Sequence, residues 1–161
     1  MCPKKTFYRF FSHNERDRRD AVWVKIMTRR EAREELINLL FESDFRGDEK
    51  AEEIYATSLE NREVADDEYL HRAYFAIMKD VERIDAAIGE HAHGWKPERL
   101  GRVSRAILRM GVYELLFEAD IPSTVTINEA VELAKKFDDE KARPFVNGVL
   151  NAVKDGIESK K

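Results

Sequence analysis

"RVSRAILRMGVYELLFEADIPSTVTINEAVELAKKF", residues 102–137, holds two helical patterns back to back, and the way they join decides the fold class. From Leu100 to Phe117 apolar residues lie almost all round a helical axis, as in a central helix covered by its neighbours. Pro122 marks a turn. Thr126 and Glu129 then show the S/T-x-x-E spacing of a capping box, and Ala130, Leu133, Ala134 and Phe137 form one stripe. A helix wrapped by others and followed at once by an amphipathic one implies a helical bundle.

The same periodicity extends both ways. Toward the C-terminus, "DDEKA" is a polar loop and Pro144 starts a last helix carrying Phe145, Val146, Val149, Leu150 and Val153. Toward the N-terminus, Leu70, Ala73, Ile77, Val81, Ile84 and Ile88 keep one helical spacing, capped by Asp66 or Asp67 and ended by Gly94, while Pro97 suits the first turn of the next helix. Asp48 is the expected cap of a shorter helix bearing Ala51, Ile54, Tyr55, Ser58 and Leu59. Thr28 and Glu31 form another capping box, and Ala32, Leu36, Leu39 and Leu40 make the stripe of a first helix at about 29 to 44. Nothing alternates with period two, so the expected fold is an all-α compact bundle of six or seven helices.

Residues 1–26 show no sustained period and are expected to be a flexible N-terminal extension, with Met27 the natural start and the earlier residues a mis-called one. Residues 27–156 form the expected domain and 157–161 a charged tail. A chain of 161 residues suits one domain, and 43% hydrophobic with 37% charged residues excludes a disordered chain. No apolar run approaches the ~20 residues of a membrane span, and Cys2 alone cannot make an internal disulfide, which together indicate a cytoplasmic protein. Residues 1–33 carry ten Lys and Arg against four Asp and Glu, whereas residues 34–161 carry 18 against 28. A basic front on an acidic body suits a polyanion for the one and a basic protein for the other.

Features of an enzyme are few. There is no Gly-rich phosphate loop, C-x-x-C or H-E-x-x-H, so neither catalysis nor a cofactor is expected. His91 and His93 read as surface histidines at a helix end, where they complement the dipole, and not as a metal site. Glu114 lies on the mostly apolar central helix with Arg105 and Arg109, and a buried charge there must meet an arginine. On a helical wheel with Ala32 at zero, Arg29, Arg33 and Arg30 fall at about 60°, 100° and 160°, and Ile37 and Phe41 continue that edge at about 140° and 180°. Forked cationic donors beside an aromatic ring suit single-stranded RNA, because arginine grips phosphates and a ring stacks on an unpaired base.

Three stretches, "TRREAREELINLLFE" (28–42), the opening 102–137 stretch and "RPFVNGVLNAV" (143–153), occur in the order and spacing of the transcription antitermination factor NusB family, which the chain resembles over about residues 27–155. The resemblance implies two small helical subdomains. It also implies binding of the boxA element, a short single-stranded RNA in ribosomal leader transcripts, together with NusE, a ribosomal small-subunit protein, within an RNA polymerase antitermination complex. In the family the arginine-rich opening helix contacts RNA, matched here by Arg29, Arg30 and Arg33, with Phe41, Phe145 and Asn147 on the same face; Lys141 and Arg143 would add charge there. Ser104 and Arg105 fall on the surface that resembles the family's contact for NusE, where many members place an acidic residue in the position of Ser104. A glycine inside the last helix, Gly148, implies a close backbone approach by another helix or by RNA. A rival reading is an interaction module or homodimer without sequence-specific RNA binding.

Overall fold

The computed structural model describes residues 8–11, 22–93 and 100–160. Among these residues seven helices make the body: α1 (Arg29–Ser43), α2 (Ala51–Asn61), α3 (Glu68–Lys79), α4 (Val81–His91), α5 (Arg102–Phe117), α6 (Ser123–Phe137) and α7 (Ala142–Glu158). The body is all-α, as the sequence implies. Ahead of it, strands β1 (Tyr8–Phe11) and β2 (Val22–Lys25) pair antiparallel, with Tyr8 opposite Lys25 and Phe11 opposite Val22. This hairpin departs from the expectation of a segment without strand structure. Each strand has only four residues, too few for a period to show, although aromatic and β-branched residues fill them.

The start of α1 follows the expected chemistry. The Thr28 hydroxyl accepts the Glu31 N–H at 3.2 Å, and the Glu31 carboxylate accepts the Thr28 N–H at 2.8 Å. Elsewhere the boundaries shift for local reasons. Helix α2 begins after Lys50 without a side-chain cap, so Asp48 stays in the preceding turn. The single long helix expected from Leu70 to Ile88 is divided at Asp80, whose φ of −109° and ψ of 22° leave the helical region. Its N–H still donates to Ala76 and its carbonyl accepts from Ile84, which is why the apolar spacing passes through the break. Asp67 caps α3 by accepting the Leu70 N–H at 3.0 Å, while Asp66 accepts the Tyr55 hydroxyl. Gly94 and Pro97 lie outside the described residues.

Helix α6 starts at Ser123, directly after Pro122, one turn before the capping box expected at Thr126 and Glu129. Proline, with φ at −57°, sets the chain for helix entry, and Thr126 is thereby carried inside, fully buried. Asp139 accepts the Ala142 N–H at 2.9 Å and starts α7, which places Pro144 in the first turn and runs on to Glu158, across the boundary expected at 156.

Helix α5 is the axis of the bundle: Ile107, Leu108, Met110 and Val112 are wholly inaccessible, and α1, α3, α4, α6 and α7 all pack on it. Helices α1–α3 gather on one side and α4–α7 on the other, joined through α5 into one continuous core. The two helical glycines have opposite surroundings. A Cβ on Gly111 would stand 2.7 Å from Leu150 Cδ1, so this side chain of α7 packs directly on the α5 backbone there. Nothing lies within 4 Å of a Cβ built on Gly148, so no neighbouring helix accounts for it.

Two substitutions should therefore move stability in opposite directions. Gly148→Ala relieves the conformational cost of glycine in an exposed helix and should stabilise by about 0.5–1 kcal/mol. Gly111→Val must displace Leu150 from a filled core and should cost roughly 1–3 kcal/mol. Urea midpoints at unchanged m value measure both.

Candidate nucleic-acid interface

The first two turns of α1 are organised by a carboxylate on another helix. Glu114, 1% exposed on α5, accepts four hydrogen bonds. Arg33 donates through Nε at 2.7 Å and Nη2 at 3.2 Å, the Tyr69 hydroxyl of α3 donates at 2.5 Å, and the Thr126 hydroxyl of α6 donates at 2.7 Å. Glu114 does meet an arginine, but from α1 and not from its own helix. Burial works against the Arg33 charge, yet the Glu114 bonds outweigh it and raise the guanidinium further. Burial and then Glu114 likewise push the Tyr69 phenol well above its ordinary value.

This geometry corrects the edge drawn on the helical wheel. Arg33 is 4% exposed and Ile37 3%, because α1 is covered by both α3 and α5 and its buried face is wider than the apolar stripe. Arg33 thus lies under the surface, with its fork filled by Glu114. Arg29 and Arg30 stay outside. The Arg29 guanidinium lies over the Tyr69 ring, 4.1 Å from its centroid, directly above the buried node. The Arg30 side chain, 60% exposed, forks onto Glu129 of α6 at 3.0 and 2.6 Å. That pairing, opposed by partial burial, holds the Glu129 carboxyl below the usual carboxylate range.

Further along α1, Phe41 is half-buried and its ring sits 5.0 Å from that of Phe45, which is 59% exposed. Arg102, at the start of α5, lies 3.8 Å from the Phe45 ring centroid. An ion pair from Lys136 to Glu34 ties α6 to α1, and the Ser104 hydroxyl donates to Asp138 at 2.5 Å, tying the end of α6 to the start of α5. These bonds bring the α6–α7 junction to the end of the bundle that holds the second half of α1. Lys141, Arg143 and Asn147 are exposed there, and Phe145 is half-buried against the core. Asn147 accepts an amide hydrogen bond from Asn151.

At the same end, Asp44 joins two arginines of α5. Arg105 donates to its Oδ2 at 3.1 and 2.7 Å, and Arg109 donates to its Oδ1 at 2.9 Å while forking onto Asp85 of α4. Ser104 and Arg105 are therefore built into bonds within the chain. Sequence reading missed Tyr69 and Asp44 and gave Thr126 and Glu129 a capping role, because the partners of all four lie elsewhere in the chain. Phe45 was within reach, as an exposed aromatic in the turn just past α1, four residues after Phe41. Among the described residues no group of three or more His, Cys, Asp or Glu is placed to hold a metal ion, and no helix is long and apolar enough to cross a membrane.

The NusB family model matches residues 30–155. The transcription antitermination protein NusB of Bacillus licheniformis is 41% identical over 132 residues, 82% of this chain and 100% of that protein. The solved structure of T. maritima NusB is similar at a TM-score of 0.73 and 37% identity, covering 80% of this chain and 92% of that one. A crystal structure of the antitermination factors NusB and NusE in complex with dsRNA matches at a TM-score of 0.71 and 34% identity, covering 80% and 96%.

The two neighbouring arginines should separate cleanly in stability. Arg33→Ala leaves Glu114 short of its cationic partner in a dry site and should cost about 3–5 kcal/mol. Arg29→Ala loses a ring contact at the surface and should cost no more than about 1 kcal/mol. Chemical denaturation of the two variants tests the assignment: equal losses would mean that Arg33 is not the structural member.

Proposed function

Because the chain belongs to the NusB family, we propose that it is a transcription antitermination factor. It binds boxA-type single-stranded leader RNA of ribosomal RNA operons together with NusE, and the pair joins the RNA polymerase antitermination complex. It works in the cytoplasm and catalyses no reaction. The observation that carries this reading is the exposed pair Arg29 and Arg30 fixed above the Glu114 node, with the Phe41 ring farther along the same helix and the Phe45 ring in the turn that follows it. Phosphates take the arginine forks and an unpaired base takes the ring face. Lys141 and Arg143 add charge where α7 begins, beside Phe145 and Asn147, and the open space over Gly148 lets a strand approach the backbone. Arg33 serves this surface from beneath, by fixing the rotation of α1.

NusE, a basic ribosomal protein, suits the acidic body, and its contact falls around Ser104 and Arg105 at the start of α5. Since Ser104 already donates to Asp138 and Arg105 to Asp44, that surface is offered in a fixed shape. Where many family members have an acidic residue, Ser104 instead donates its hydroxyl to the acidic Asp138.

Fluorescence anisotropy with a boxA-like single strand, a scrambled strand and a duplex of the boxA-like sequence tests the reading, with and without NusE and across a salt series. The boxA-like single strand should bind best and more tightly with NusE. An Arg29→Ala, Arg30→Ala double variant, which leaves Arg33 in place, should lose about 1.4 from the log–log salt slope at ~0.7 per phosphate contact. Gly148→Ala should weaken RNA binding while the fold gains stability. Equal affinity for all three RNAs, unmoved by the double variant, would overturn the assignment.

A further inference from the structure

The Arg30 fork is not idle in the RNA-free protein. Its Nε and Nη2 reach the two carboxylate oxygens of Glu129, the arrangement a phosphate would otherwise take. Glu129 is only 18% exposed, and its Oε2 also lies 3.7 Å from Nη1 of the buried Arg33. One carboxylate thus stands between two arginines, one outside and one inside. When Arg30 leaves, Glu129 still has Arg33 within reach, so the exchange strands no buried charge. The groove between α1 and α6 is lined by Arg30, Glu34, Glu129, Glu132, Lys135 and Lys136, so a strand entering it meets acids as well as cations. Glu34 holds Lys136 at 2.7 Å in the same manner. Arg29, by contrast, lies over a ring and can take a phosphate without first leaving a carboxylate.

We propose that Glu129 is a specificity-determining residue of the RNA site: it occupies Arg30 until a strand held by its other contacts displaces it, and Arg33 then keeps Glu129 paired. The inference rests on the RNA-binding reading above. A strand that matches only Arg29 competes poorly for Arg30. A strand seated also on the aromatic end of α1 presents its phosphate at high effective concentration and wins the fork. Selectivity arises because the acid discourages every strand alike and only the well-seated one overcomes it.

Glu129→Gln keeps the size and removes the charge. Against the same labelled RNAs, it should bind the scrambled strand roughly two- to fivefold more tightly, the scale at which exposed ion pairs compete. The boxA-like strand should gain less, so selectivity narrows, and the salt slope for the scrambled strand should steepen by about 0.7 as Arg30 joins the contact. In an Arg30→Ala background the substitution should change neither affinity nor slope. Glu129→Asp, too short to fill the fork while keeping a charge near Arg33, should move selectivity in the same direction, which covers the case of a Gln variant that folds poorly. Selective binding by the unaltered protein with no change in either variant, or an effect that survives without Arg30, overturns the role of Glu129 alone. Failure of the unaltered protein to bind any of the RNAs overturns the RNA reading itself.

Discussion

A single buried carboxylate holds the arrangement of four helices. Glu114 stands on the central helix where water cannot reach it, and an ionised group there is tolerable only if its oxygens are filled. The four hydrogen bonds that fill them come from Arg33, Tyr69 and Thr126, one residue from each of α1, α3 and α6. Apolar packing alone would tolerate small rotations and slips of these helices. The node does not, since moving any one donor leaves a polar atom unpaired in a low-dielectric interior. The early start of α6 after Pro122, which sends Thr126 inward, makes sense in this light.

The node also explains why an arginine-rich helix start can serve two purposes without conflict. Of three arginines within five residues, Arg33 points inward and fixes the helix, whereas Arg29 and Arg30 remain at the surface. Tyr69 and Glu129 link the two layers. The ring whose hydroxyl feeds Glu114 carries Arg29 on its face, and the carboxylate that holds Arg30 lies within reach of Arg33. The surface cations are thus oriented by groups that belong to the fold, and less side-chain entropy remains to be lost when a polyanion arrives.

Much of this was legible in the sequence and some was not, for physical reasons. The capping box at Thr28, the stripe of α1 and the all-round apolar character of α5 are local patterns, and each produced the element expected. The same kind of pattern misled at Thr126 and Glu129, where the capping spacing was present but both side chains had long-range partners. Arg33 was misplaced because a wheel ranks residues around one helix and does not know how many neighbours cover it. The break at Asp80 was hidden by hydrogen bonds that continue on both sides. Above all, Arg33 and Glu114 are 81 residues apart, and no periodicity connects them.

Helix α1 is tied to α5 at both ends. Arg33 meets Glu114 near its start, and Asp44, just past its end, meets Arg105 and Arg109. The two helices run antiparallel, so these ties, 11 residues apart on α1, cannot both be kept if one helix slides or turns on the other. Arg29 and Phe41 are therefore held at a fixed separation of about 18 Å along the axis, at 1.5 Å per residue. A flexible helix would let cationic and aromatic ends adapt to any strand. In the proposed RNA reading a clamped one presents them as a ruler, so a strand gains both contacts only when its backbone spacing and its unpaired base fall in register. On that reading sequence preference arises from geometry, with few hydrogen bonds to base edges, and it rests on the buried Arg33 and Glu114 that fix the helix.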